Sequence, residues 1–161
     1  IKMKNILFTL CTLLLALQTN AQIVKAEIIA TGLTCSMCSN AINKQLKSLP
    51  EVESVETDLN TNTFTVIMKA GANTNPNLFK ENVEKAGFFV GSLVLTVDSR
   101  TLKNYINIDE NEIPDANEFQ IQILDKGFVT EKEFKKLSKK YKNSETYLVN
   151  NDDDFHFKIL N

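Results

Sequence analysis

This chain lacks a basic block, a glycine-rich phosphate loop and an apolar run of membrane-spanning length. Lys and Arg number 18 against 20 Asp and Glu, giving a net charge of −2. No clustered Lys/Arg footprint of the kind that neutralises nucleic-acid phosphates stands out, so nucleic acid is not an expected partner. No glycine-rich nucleotide cradle is present. The single histidine, His156, lies far along the chain, and no nucleophile–base pair for hydrolysis is visible. A non-enzyme is therefore expected. Repeats and low-complexity tracts are missing too. Three cysteines are too few for a disulfide scaffold. What remains is ordinary globular composition, 43% hydrophobic and 24% charged over 161 residues. That length suits one domain, or a small domain with an extension.

The first residues read as a targeting segment. Met3 and Lys4 form a short basic start. Residues 6–17 are apolar, with Thr9, Cys11 and Thr12 as weakly polar members. Thr19-Asn20-Ala21 then sets small residues where a signal peptidase reads. Residues 1–21 are accordingly expected to be a signal peptide cleaved after Ala21. An uncleaved anchor is the alternative, although a spanning helix needs about 20 apolar residues. No stable membrane span is expected once the segment is removed. Removal leaves 16 basic against 20 acidic residues, a net −4. Cys11 leaves with it. That cysteine sits inside the apolar run rather than after it, which does not suit lipid attachment. The expected mature chain keeps two cysteines, Cys35 and Cys38.

Periodicity predicts the elements that follow. Val24, Ala26, Ile28 and Ala30 alternate as a strand, and Gly32 breaks it. From Cys38 the pattern turns helical: Ala41, Ile42, Gln45, Leu46 and Leu49 share one stripe, and Pro50 ends it. Val55, Thr57 and Leu59 predict a second strand, Asn60-Thr61-Asn62 a hairpin turn, and Phe64, Val66 and Met68 a third strand. A helix is expected over about 77–86, capped by Gly87, and a long apolar strand over 88–97. The order strand, helix, strand, strand, helix, strand predicts an α+β fold of the ferredoxin-like βαββαβ kind: an antiparallel four-stranded sheet with two helices on one face. Residues 22–98 form this domain.

Residues 99–118 are polar, hold Pro114 and read as a linker with little structure. Residues 119–161 show order again and predict a small α+β C-terminal extension that packs on the first domain or pairs with itself. Phe119, Ile121 and Ile123 alternate as a strand. Thr130 and Glu133 form a capping box for a helix reaching about Tyr141. Two short strands are expected at 147–149 and 155–160, joined by a turn over 150–154.

Cys35-Ser36-Met37-Cys38 falls at a loop-to-helix junction, with Cys35 on the loop and Cys38 in the first helical turn. Free backbone N–H groups and the positive helix end there favour thiolate over thiol. Two neighbouring thiolates make a soft, low-coordination site. Such a site selects Cu(I) and also takes Zn(II), Cd(II) or Hg(II). A closed structural zinc site normally has four ligands. An open pair on a surface loop suits transfer, because an incoming thiol can attack the ion. A disulfide and a redox dithiol remain competing readings of the same pair.

Gly32-Leu33-Thr34-Cys35-Ser36-Met37-Cys38 resembles the G-M-T-C-x-x-C motif of the heavy-metal-associated domain family. Ile42, Leu46 and Leu49 resemble its first helix, Pro50-Glu51-Val52-Glu53-Ser54-Val55 its second-strand entry, and Ala86-Gly87-Phe88 its A-G-Y/F element. The resemblance covers about residues 24–97. It implies the same ferredoxin-like fold, metal ligation by Cys35 and Cys38, an aromatic at Phe88 close to the metal loop, and an envelope metal transporter or another metal carrier as partner. Leu33 stands where the family usually has Met; it fills a similar volume under the loop. The leading segment makes periplasm or cell envelope the expected location, and the extension is similar to the tails of exported proteins of this family in Gram-negative bacteria.

Other side chains are assigned plainer roles. Met37 is read as exposed rather than a third ligand, Lys85 as a helix-end cation beside the C-terminal dipole, His156 as solvent-facing opposite Phe155 and Phe157, and Asp152-Asp153-Asp154 as a solvated turn. Three functions are consistent with this: a Cu(I) carrier or sequestering protein, a thiol–disulfide exchange protein, or a metal-regulated interaction module acting through its tail.

Overall fold

A computed structural model of the chain describes residues 23–72, 74–99, 102, 104–149 and 154–160. The expected signal peptide lies outside them, as do Asp152 and Asp153. The first half runs β1 (Ile23–Thr31), α1 (Ser36–Lys47), β2 (Val52–Asp58), β3 (Thr63–Met68), α2 (Pro76–Lys85) and β4 (Phe89–Asp98). These strands lie in the order β2-β3-β1-β4 and all pair antiparallel. This is the ferredoxin-like α+β arrangement. Each strand gives one face to the core: Ala26, Ile28 and Ala30 of β1, Phe64, Val66 and Met68 of β3, and Leu93, Leu95 and Val97 of β4 are buried.

The two helices cover that face. Ile42 and Leu46 of α1 and Phe79 and Val83 of α2 are fully buried. Gln45 Nε2 donates to Asn82 Oδ1 at 3.0 Å, tying α1 to α2. Asn75 caps α2 by accepting from the Asn77 N–H at 2.9 Å, with Pro76 opening the helix. At its other end, Gly87 takes φ +89°. The Gly87 N–H then donates to the Glu84 carbonyl at 2.8 Å, and the Phe88 N–H to the Val83 carbonyl at 3.2 Å. This paired closure turns the chain and aims Phe88 back toward the β1–α1 loop.

The C-terminal segment does more than pack alongside. It comprises β5 (Tyr105–Asn107), β6 (Glu118–Ile123), α3 (Glu131–Lys140) and β7 (Phe155–Leu160). The complete sheet has seven strands in the order β2-β3-β1-β4-β6-β7-β5. β6 runs antiparallel along β4 from Leu93↔Ile123 to Asp98↔Glu118, so backbone groups at the β4 edge are paired. Phe119, Ile121, Ile123, Phe155, Phe157 and Ile159 enter the same core as the first half. On the opposite face, α3 sets Leu137 against Leu124, Val129 and Tyr147 in a second core.

Three sequence expectations differ from this. The segment 99–118 contributes β5, which pairs parallel with β7. Residues 147–149 form a turn, not a strand: Tyr147 is buried against Phe134 and Tyr141, and its hydroxyl donates to the Leu124 carbonyl at 2.7 Å. His156 is buried at 1% exposure rather than solvent-facing. It does point opposite Phe155 and Phe157, but the second core covers that face too. Its Nδ1 lies 2.7 Å from Asp125 Oδ1, its backbone N–H donates to Asp125 Oδ2 at 2.7 Å, and its Nε2 is 2.9 Å from Thr146 Oγ1.

Candidate functional site

Cys35 is the N-cap residue of α1, with extended backbone (φ −159°, ψ 163°) and no side-chain capping bond. Its sulfur is therefore free to face outward. Cys38 sits in the first turn, and its N–H donates to the Cys35 carbonyl at 3.0 Å. Both thiols are free, and their Sγ atoms are 3.2 Å apart. Thr34 Oγ1 lies 4.0 Å from Cys38 Sγ.

The Cys38 thiol is lowered from 9.0 to about 7. The largest cause is the Thr34 backbone N–H, which points at the sulfur; the Cys35 thiol donates next. The α1 first turn carries no acidic residue to oppose a thiolate. At neutral pH the pair therefore holds a substantial thiolate fraction on an open surface.

The surroundings explain how the loop keeps this shape. Gly32 takes φ +87°, a left-handed conformation that disfavours a side chain. A Cβ at Gly32 would lie 3.9 Å from the Phe88 ring, so the aromatic delivered by the α2 closure stands beside the loop. Leu33 is partly buried against the main core and anchors the loop from below. Leu33, Thr34, Cys35, Ser36 and Ser39 share a shallow cavity of about 270 Å³ with Leu59 and Asn62 of the β2–β3 turn.

The structure brings Cys35 and Cys38 together and leaves the other candidates apart. Met37 is 79% exposed, and Lys85 is exposed in the last turn of α2. His156 lies in the C-terminal half, inside the second core. Among the described residues, no group of three or more His, Cys, Asp or Glu side chains converges as a metal cluster. Cys35 and Cys38 are the candidate ligands that the structure sets side by side. Two contributors escaped sequence reasoning: the Thr34 N–H that lowers the Cys38 thiol, and Leu59 with Asn62 from the neighbouring turn. The loop-to-helix junction signals backbone N–H groups beside the sulfurs without singling out Thr34, and Leu59 and Asn62 carry no signal because they come from a separate hairpin.

Residues 27–89 match the family model described as the heavy-metal-associated domain. No curated protein matches the chain. Among solved structures, the yeast copper transporter domain Ccc2a, determined in apo and Cu(I) states, is 31% identical; the match covers 42% of this chain and 90% of that one, with a TM-score of 0.37. The N-terminal domain of a potential copper-translocating P-type ATPase from Bacillus subtilis is 30% identical, with 42% and 82% covered and a TM-score of 0.37. Apo-CopP from Helicobacter pylori is 26% identical, with 41% and 97% covered and a TM-score of 0.35. These likenesses involve about two-fifths of the chain.

Proposed function

Through residues 27–89 the chain belongs to the heavy-metal-associated domain family, and on that premise we propose that it is an exported, non-enzymatic carrier or sequestering protein that binds one Cu(I) through Cys35 and Cys38. The observation that carries this reading is the exposed pair of free sulfurs 3.2 Å apart, one of them with its thiol lowered to about 7. Soft thiolates in a low-coordination pair select Cu(I) over harder ions, with Zn(II), Hg(II) and Cd(II) as weaker candidates. To bracket an ion at metal–sulfur distances near 2.3 Å, the sulfurs must spread by roughly half an ångström for tetrahedral geometry, and further for a linear one. Cys35 can supply that movement, because its side chain makes no capping bond and is exposed.

The site is also open enough for exchange. A thiol from a metal transporter or another metal carrier can approach the ion without unfolding anything. The partner's own sulfurs then take over ligation one at a time. Periplasm or cell envelope is the location this reading assigns, on the strength of the leading segment. Among the described residues, no helix is long and apolar enough to cross a membrane.

Anaerobic competition between the reduced chain and a chromogenic Cu(I) chelator tests the proposal, in a Cys11→Ser background so that only the pair titrates. One Cu(I) per chain is expected, lost in Cys35→Ser and in Cys38→Ser. Catalytic turnover of disulfide substrates without Cu(I) uptake would favour thiol–disulfide exchange instead.

A further inference from the structure

The outward face of α3 is a lysine stripe. Residues 131–142 hold six lysines and two glutamates in a chain whose net charge is −2. Along the sequence the lysines are broken up by Phe134, Leu137 and Tyr141. The helix sorts them: those three side chains turn into the second core, while Lys132, Lys135, Lys136, Lys139 and Lys142 are exposed. Spacings of three and four residues place Lys132, Lys135, Lys136 and Lys139 one above another, where like charges destabilise a helix. Lys140 is held by Asp109 at 2.9 Å, and Lys136 approaches Glu133 only at 4.0 Å while 78% exposed. No ion pair forms at Lys132, Lys135, Lys139 or Lys142 among the described residues. From Lys132 to Lys139 the helix thus presents a row of ammonium groups about 10 Å long, with Lys142 in the turn just beyond it.

We propose that this stripe docks the protein on the anionic surface of a lipid bilayer. The occupant follows from three observations. The stripe is lysine throughout, since the sole arginine of the chain is Arg100. Lysines are hydrated point charges that suit a diffuse anionic surface, whereas a structured carboxylate partner favours the planar fork of arginine. The stripe is also a ridge, not a cleft: the cavities beside α3 are lined by Phe134 and Glu131 but by none of these lysines. Finally, α3 lies on the sheet face opposite α1 and α2, so lipid contact there leaves α1 and its cysteines uncovered. The N-cap Thr130 sits near the root of the cysteine loop: a Cβ on Gly91 would come within 3.6 Å of Thr130 Cγ2 and 2.5 Å of Thr31 Cγ2. Docking through α3 therefore leaves the Cys35–Cys38 loop clear of the lipid with its sulfurs accessible.

Vesicle cosedimentation of the full chain tests this, with phosphatidylcholine vesicles with and without phosphatidylglycerol. The comparison variant carries Lys132→Gln, Lys135→Gln, Lys139→Gln and Lys142→Gln; its leading apolar segment is unchanged and contributes equally in both proteins. We expect the original chain to partition onto phosphatidylglycerol vesicles in excess of phosphatidylcholine, and the excess to vanish at about 1 M salt, where the Debye length is near 3 Å. The four substitutions should weaken that excess by roughly fivefold per lysine, several hundredfold together. An unchanged helical signal and unchanged free-thiol count would show that the variant is folded. Equal binding by chain and variant would overturn the proposal. So would capture by polyglutamate with no preference for phosphatidylglycerol, which would assign the stripe to an acidic protein.

Discussion

Asp125→Ala should loosen the C-terminal half of the sheet while leaving metal uptake intact. Asp125 accepts two bonds from His156, one from the backbone N–H and one from Nδ1–H, each at 2.7 Å. Thr146 Oγ1 lies 2.9 Å from Nε2 and gives the other ring nitrogen a hydrogen-bond partner. The histidine side chain is 2% exposed and that of Asp125 is 20% exposed. Removing the carboxylate orphans two buried donors, each costing about 1–3 kcal/mol. Asp125 borders a cavity of about 320 Å³, so water can replace part of what is lost. The expected loss is therefore at the low end, about 2–3 kcal/mol. Against a typical total of roughly 5–15 kcal/mol, that is a large fraction. Thr146→Val removes one bond only and should cost about 1 kcal/mol. Urea unfolding of the reduced protein by far-ultraviolet circular dichroism reads both values, and amide exchange should show the losses concentrated in β7 and α3. A loss below about 0.5 kcal/mol for Asp125→Ala, the range of an ordinary surface change, would mean that the carboxylate does not hold β7 in place.

The lowered Cys38 thiol makes a pH prediction: alkylation of the reduced pair should show a phase with midpoint near pH 7, and Cys35→Ala should move that midpoint upward, because the Cys35 thiol is one of the donors. The sign for stability follows from the lowered value: the thiolate's contribution is fully present above about 9, declines as pH falls, and is gone below about 7. Gly91→Ala should destabilise by about 1–3 kcal/mol, because a Cβ would meet Thr31 Cγ2 at 2.5 Å; Thr31→Ser removes that methyl, so the double variant should recover most of the loss in a thermal unfolding cycle. Ile42→Ala, on the buried face of α1, should cost about 2–5 kcal/mol in urea unfolding.

Much of this was legible in the sequence where one structural face meets one core. β1, β3 and β4 alternate because α1 and α2 cover a single side of the sheet there. The cysteine loop was legible from spacing, since the Gly32 break followed by a helical stripe sets Cys35 at a helix entrance. Legibility failed where a second layer arrives from elsewhere in the chain. His156 alternates correctly with Phe155 and Phe157, yet period two reports only which face a residue takes. Burial of that face by Leu137 and Tyr147 is a long-range fact. Tyr147-Leu148-Val149 has strand-like composition, but the ring stacking and the bond to the Leu124 carbonyl hold it in a turn. β5 is three partly buried residues with no period to find. The lysine cluster departs from the expectation of no basic block: six lysines lie within residues 131–142, and the helix adds only that most of them share one face.

X-ray absorption at the copper edge, on the reduced chain in the Cys11→Ser background loaded with one equivalent of Cu(I), shows whether Cys35 and Cys38 together hold the ion. Two sulfur neighbours at short distance, with no nitrogen or oxygen in the inner shell, are the predicted result, and both should vanish from the spectrum of the Cys35→Ser, Cys38→Ser double variant. A copper shell containing imidazole nitrogen, or one unchanged by that double substitution, would contradict the account.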